Sequence, residues 1–240
     1  VMITVIGLGF VGLTTALGFC EKGFKVYGYD IDREKVNSLR NNKVPFYEPG
    51  LDEALIRHSG ELFEIVDDLS KAINNSKVVF YCVGTPSDEQ GRADLKFLFS
   101  AIDDTLKNRT DGNFKVLVVK STVPPSTTSE RILPYLEQQG LKVGKDIGLA
   151  NKPEFLREGS AIYDFFRPDR IVIGGDSREA VDRVAKLYDP LYRLESPVVK
   201  TELETSELSK YASNAFLATK ISFINEMACL CEKVGADVQH

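Results

Sequence analysis

The opening βαβ pattern constrains this chain more than any other segment. A β-compatible run at 2–6 (MITVI) leads straight into Gly7-Leu8-Gly9-Phe10-Val11-Gly12. A second run at 25–29 (KVYGY) ends at Asp30. A GxGxxG pattern alone is weak, but here it follows a strand, opens a helix and precedes a second strand with an acidic end, which is the context of a dinucleotide-phosphate turn. Gly7 permits the tight turn, Gly9 lets a pyrophosphate approach the backbone, and Gly12 lets the helix pack close to the sheet. The N–H groups of Phe10 and Val11 then open the helix toward the phosphates. Asp30 is expected to accept from the adenosine ribose hydroxyls and to repel a 2′-phosphate, so NAD is favoured over NADP. Lys35 is either a second contact on that ribose edge or a solvated surface lysine. Residues 1–20 carry no charge and no histidine, which would also suit a signal peptide or membrane span. However, they lack a positive leader and a small-residue cleavage site, and four glycines punctuate them.

Further along, strands are expected at 78–83, 115–119, 147–150, 170–173 and 198–200. Helices are expected at 11–22, 32–41, 94–107, 127–138 and 177–188, with a proline-containing loop at 44–51. Alternation of β-branched strands with amphipathic helices predicts an α/β fold: a doubly wound parallel Rossmann sheet covered on both faces. From 202 to 233 there is no Pro or Gly, and apolar residues recur at three and four (Leu208, Tyr211, Ala215, Phe216, Ala218, Phe223, Met227, Leu230). One helix of that length spans roughly 48 Å, more than a doubly wound unit needs, so it is expected to join domains or to form a homodimer interface. The alternative is two helices with a kink. Residues 1–200 are thus the expected NAD-binding unit and 201–240 a long connecting or dimerisation helix. The net charge of −5 argues against a nucleic-acid partner. Cys20, Cys82, Cys229 and Cys231 form no CxxC and no Cys/His cluster, so no metal site is expected and the cysteines read as buried free thiols of a cytoplasmic protein.

Chemistry-bearing residues gather at the carboxyl ends of the strands. Thr85 in VGTP and Thr122 in STVPP share one sheet edge and are candidate hydroxyl contacts to the nicotinamide side. The alternative is that Thr with Pro simply makes a good turn. Glu154 and Glu158 in PEFLREG lie four apart, and one of them at a strand end is placed to act as base or water activator. Lys210 and Asn214 are four apart on the long helix, on one face with Leu217 and Ile221. Burying them there costs free energy without a partner such as an oxyanion or an alkoxide.

The segments GLGFVGL, YEPGL, VGTP, STVPP, PEFLREG, RPDRIVIG and ELSKYASNAFLATKISFINEMA occur in this order over essentially the whole chain. Together they resemble the nucleotide-sugar dehydrogenase family, and within it the UDP-glucose branch more than the GDP-mannose branch. The resemblance implies oxidation of the C6 alcohol of UDP-glucose to a carboxylate with two NAD, through two hydride transfers and a cysteine-linked intermediate. It implies that Lys210 and Asn214 stabilise oxyanions, that Thr122 and Glu154 handle proton and water, and that Glu158 contacts the cofactor. It further implies that Phe155, Leu156 and Arg157, with Glu154, Lys210 and Asn214, line the sugar side. Two departures stand out. Lys152 stands where the family usually has Asn, with Asn151 one residue earlier. The nucleophilic cysteine of a GGSCxPKD-type segment is matched by none of the four cysteines. The expectation is therefore an N-terminal and central portion, without the cysteine and the C-terminal UDP-holding domain, inactive alone. A non-catalytic NAD-binding module is the alternative, and retention of Glu154, Lys210 and Asn214 together speaks against it.

Overall fold

Runs of Val, Ile and Phe form strands here because both faces of the sheet are covered. The computed structural model describes residues 1–192 and 196–239. Its strands are β1 (Met2–Ile6), β2 (Lys25–Tyr29), β3 (Phe63–Ile65), β4 (Val78–Tyr81), β5 (Lys115–Val119), β6 (Ile147–Asn151), β7 (Ile171–Gly175) and β8 (Val198–Thr201). They make one sheet in the order β3-β2-β1-β4-β5-β6-β7-β8. The first six follow the doubly wound order 3-2-1-4-5-6, whose switch point lies between β1 and β4. Side chains alternate between two cores. Val78, Phe80, Val116 and Val118 pack into one, and Val79, Tyr81, Leu117 and Val119 into the other.

The helices are α1 (Phe10–Glu21), α2 (Arg33–Arg40), α3 (Leu51–His58), α4 (Leu69–Asn75), α5 (Lys96–Asn108), α6 (Leu133–Gln138), α7 (Ala161–Phe166), α8 (Arg178–Tyr192) and α9 (Leu203–Val234). The uncharged stretch at 1–20 is explained by α1, which is buried from Gly12 to Cys20. Its Phe19 packs against the rings of Phe24, Phe80, Phe165 and Tyr188. Among the described residues no helix is long and apolar enough to cross a membrane.

Several elements differ from the sequence expectation, among them α3, α4 and α7, which form where no helix was expected. A short edge strand, β3, forms between α3 and α4, and Gly28 on β2 leaves space for its Phe63 ring. The helix expected at 127–138 begins as a π-helical turn (Thr128–Ile132) before α6. Most consequentially, β7 runs antiparallel to β6, pairing only Ala150 with Gly175 and Asn151 with Gly174. The intervening α7 has six residues, roughly 9 Å of rise. In the observed register Asn151 lies opposite Gly174, so Ile171 starts beyond the carboxyl end of β6. The chain therefore turns back from the carboxyl edge, and the segment before β7 stays above that edge.

α9 is a continuous helix of 32 residues, without the alternative kink. Its first turn lies against β7, where a Cβ on Gly174 would come within 2.5 Å of the Glu202 carbonyl oxygen and 2.6 Å of the Ser206 Cβ. Beyond this contact the helix leaves the sheet, and Phe216, Leu217, Ile221, Phe223, Ile224 and Leu230 are exposed. All four cysteines are free thiols. Cys20 is buried as expected, but Cys229 is exposed because it lies on this outer part of α9.

Candidate active site at the carboxyl edge

The dinucleotide turn is built by close approach. Gly7 has φ +90°, and its N–H donates to the Tyr29 carbonyl at 2.8 Å. A Cβ on Gly12 would lie 1.7 Å from the Gly7 oxygen, whereas one on Gly9 would meet nothing within 4 Å. So Gly7 and Gly12 close the turn on itself, and Gly9 faces open space. No side chain caps the N-terminus of α1, so the opening N–H groups at Phe10 and Val11 keep their donors for a ligand. Asp30 is 7% exposed. Its Oδ2 accepts from the Leu8 N–H at 2.7 Å and from Lys35 Nζ at 2.8 Å, and its Oδ1 accepts from the Asp32 N–H at 2.9 Å. Lys35 is thus not a free surface lysine; it pairs with the Asp30 carboxylate at the edge of the cradle. These residues open onto a cavity of about 250 Å³ walled also by Val83, Gly84, Phe97 and Ala101, at the switch point. The cradle fits a dinucleotide. An Asp30→Asn chain is expected to bind NAD about tenfold more weakly and to discriminate less against NADP, as measured by calorimetry, because bonds to a charged acceptor are the strong ones.

VGTP and STVPP are stitched together. Thr85 Oγ1 donates to the Thr122 carbonyl at 2.7 Å, and Ser121 Oγ donates to the Val83 carbonyl at 2.6 Å. The Thr85 hydroxyl thus ties one loop to the other, which favours the turn reading for that atom. Both threonines sit on the shared edge, as expected.

The second cavity, about 400 Å³, lies between the segment after β6, the segment before β7 and α9. Here Lys210 Nζ donates to Glu154 Oε1 at 2.8 Å, and Glu154 Oε2 accepts from the Leu156 N–H at 2.7 Å. Burial pushes the Glu154 carboxyl up, but the Lys210 bond and charge, together with the Leu156 N–H, outweigh it. The net position is below the usual carboxylate range. Phe155 lies beneath the Arg170 guanidinium, 4.1 Å from its ring centroid. Leu156 and Asn214 line the wall, Asn214 from the exposed side of α9. Arg157 reaches Asp164 with both Nε, at 3.1 Å, and Nη2, at 2.6 Å. Glu158 stands apart. It is exposed and lines neither cavity.

The departure at Asn151 has a structural account. Its side-chain oxygen accepts from Ser206 Oγ at 2.8 Å, and its Nδ2 donates to the Val119 carbonyl at 3.2 Å. It therefore fastens β6 to both β5 and α9.

Several functional residues were not singled out from sequence. Glu48 of YEPGL is buried and accepts from the Gly159 and Ala161 N–H groups at 2.8 and 2.7 Å, anchoring PEFLREG from the far side. Glu207 accepts from the Thr128 N–H at 2.9 Å, and burial pushes its carboxyl up. Arg170 reaches the cavity because β7 is antiparallel. Lys120 and Lys152 line its floor. The only sequence signal for Lys120 was a lysine directly after an apolar strand.

A doubly wound sheet with a glycine cradle at its switch point, and a buried Lys–Glu pair on the same edge, defines a dinucleotide-dependent dehydrogenase fold. The sequence profile of the NAD binding domain of the UDP-glucose/GDP-mannose dehydrogenase family matches residues 1–192, and that of its central domain matches residues 204–240. The chain belongs to this family, and its cofactor is NAD. It is 46% identical to UDP-glucose 6-dehydrogenase of Rhizobium meliloti over 99% of this chain and 54% of that protein. Its fold superposes on a UDP-glucose dehydrogenase from the hyperthermophilic archaeon Pyrobaculum islandicum with TM-score 0.91 at 39% identity, covering 99% of this chain and 54% of that one. The GDP-mannose dehydrogenase of Pseudomonas aeruginosa gives TM-score 0.92 at 33% identity, with coverage of 99% and 54%. The chain spans about half the length of each.

Proposed function

We propose that these residues form the NAD-binding and oxyanion-stabilising part of an enzyme that oxidises the C6 alcohol of UDP-glucose to the carboxylate of UDP-glucuronate. The observation that carries this reading is the Glu154–Lys210 pair at the carboxyl edge, beside the dinucleotide cradle. Binding a dinucleotide requires neither residue. Lys210 donates to an alkoxide or tetrahedral oxyanion forming at C6, Asn214 adds a second donor from one turn along α9, and Glu154 accepts the proton relayed through Lys210 or from a water held by Thr122. Two NAD molecules, bound in turn in the Gly7–Gly12 cradle, would supply the acceptors for the two hydrides that leave C6, with one water entering as the second carboxylate oxygen. Glu158 is proposed as a cofactor contact on the resemblance alone. Residues 1–200 are proposed as the cofactor domain and 201–240 as the start of a central domain. A cytoplasmic setting is part of the same proposal.

The second reading, GDP-mannose as substrate, is favoured by the fold match to the Pseudomonas enzyme. A chimera separates the two. This chain replaces the matching half of the Rhizobium enzyme, and NADH formation is followed with each sugar nucleotide. We expect reduction of NAD with UDP-glucose, none with GDP-mannose, and at least a hundredfold loss in the Lys210→Met chimera. Activity on GDP-mannose alone overturns the substrate, and full activity of the Lys210→Met chimera overturns the mechanism. Sustained NADH formation by the 240 residues alone would count against a required cysteine outside them.

The exposed apolar face of α9 supports pairing with a second copy of the chain. A dimer mass by light scattering is expected, and a monomer mass at high concentration counts against it.

A further inference from the structure

The cavity walled by Glu154's loop and α9 carries more positive charge than its neighbours neutralise. Six basic side chains line it, Lys120, Lys152, Arg157, Arg167, Arg170 and Lys210, against two acidic ones, Asp164 and Asp169. Lys210 is answered by Glu154, and Arg157 by Asp164. Lys120 and Lys152 are the most enclosed of the six, at 2% and 8% exposed, and among the described residues neither makes an ion pair. The Lys152 amine lies 4.9 Å above the Tyr188 ring centroid, and Lys120 lines the same floor.

The groups facing the pair are Glu154, Lys210 and the Cys82 thiol. Burial pushes that thiol up to about 12, so it stays neutral. The Glu154 carboxylate is already shared with Lys210. Burial lowers the proton affinity of both amines, and the neighbouring Lys120 charge lowers that of Lys152 further. The floor of the cavity is therefore short of an anion.

We propose that Lys120 and Lys152 form a proton-linked seat for a carboxylate in the floor of this cavity. Two enclosed amines on one cavity floor offer donors to the two oxygens of a carboxylate, and enclosure removes competing water. The carboxylate enters as an anion, Lys152 takes up one proton from solvent, and no covalent bond changes. The seat rests on the proposed function for its physiological occupant, the oxidised C6 of the sugar. The hydroxymethyl group of the substrate offers the amines no charge, whereas the product does. Lys152 stands where the resemblance has Asn, which cannot carry the charge, so the seat belongs to this sequence in particular. One consequence is tighter retention of the oxidised group as the pH falls.

The test uses the full 240-residue chain labelled with 13C-lysine, with Lys152 assigned through a Lys152→Asn chain, and follows lysine titration by NMR. Sodium glucuronate is the probe, and glucose and sodium chloride at equal ionic strength are the controls. Glucuronate is expected to raise the Lys152 midpoint by about one pH unit or more, a tenfold gain in proton affinity, while the controls leave it in place. Glucuronate affinity is expected to fall about tenfold in Lys152→Asn, with NAD affinity retained. An unmoved midpoint, an equal shift with chloride, or equal glucuronate affinity in the two chains overturns the seat. If glucuronate lifts Lys152 while the chimera fails on UDP-glucose, the seat stands and the substrate assignment falls. The converse result removes the seat alone.

Discussion

A Gly12→Ala chain is expected to lose NAD binding by at least a hundredfold and to lose about 3 kcal/mol of stability or more. Helix propensity argues the other way, since Ala in a helix is worth about 1 kcal/mol over Gly. Sterics decide it. The new Cβ would stand 1.7 Å from the Gly7 oxygen, 2.9 Å from the Gly7 carbonyl carbon and 3.1 Å from the Cys82 Cβ. The first two are backbone atoms, and no rotamer moves them. Gly7 is itself fixed by its bond to Tyr29 and by Cys82, whose carbonyl oxygen lies 2.7 Å from where a Gly7 Cβ would be. Relief requires the turn to open, which carries the N-terminus of α1 away from the phosphate position. Gly9→Ala is the informative control. Gly9 has φ −75°, and its Cβ would meet nothing within 4 Å, so the chain should fold normally. The methyl group would nevertheless occupy the space left for a pyrophosphate. The expected pattern is a melting temperature lowered by roughly 6–12 °C in Gly12→Ala and unchanged in Gly9→Ala, with NAD affinity lost in both. Wild-type NAD binding by Gly12→Ala would refute this account of the turn.

The cradle was legible in the sequence because it is local. Gly7, Gly9, Gly12 and Asp30 all act within one βαβ unit, and their spacing encodes the geometry directly. The Glu154–Lys210 pair was legible in a weaker way. Lys210 stood out as a charge on an apolar stripe and Glu154 as a carboxylate after a strand, but their contact spans 56 positions and depends on where α9 crosses the edge. The antiparallel β7 was hidden. Its residues have the same β-branched character as a parallel strand, and its direction shows only in its pairing with β6. That one reversal places Arg170 in the cavity, which strand reading alone cannot do. Glu48 and Glu207 were missed for a related reason. Each caps backbone N–H groups of a segment distant in sequence, and buried carboxylates of this kind look like surface charges until the chain is folded. Lys35 shows the converse: a lysine that could have been a solvated surface charge is the ion-pair partner of Asp30.

Removing the ammonium at Lys210 is expected to cost about 3 kcal/mol near pH 8, because it leaves the enclosed Glu154 charge without its partner. The Leu156 N–H remains on Oε2, but a single backbone donor does not replace an ion pair at 2.8 Å. The pH dependence has a definite sign. In the native chain Glu154 is held below its ordinary value despite its burial. It therefore contributes stability above its unfolded pKa and loses it as the pH falls through the folded one. In Lys210→Met, burial is opposed by less, and the carboxyl rises above its ordinary value. Its contribution then reverses, and acid stabilises the variant relative to the native chain. The deficit of Lys210→Met should be largest above about pH 6 and smallest near about pH 4. Glu154→Gln in the same chain should recover most of the loss at pH 8, since no buried charge then remains. Urea unfolding of the single and double variants at the two pH values measures all of this. A deficit independent of pH, or a double variant as unstable as Lys210→Met, would show that Lys210 supports the fold through its aliphatic stem. Its ammonium would then not be what holds Glu154 ionised.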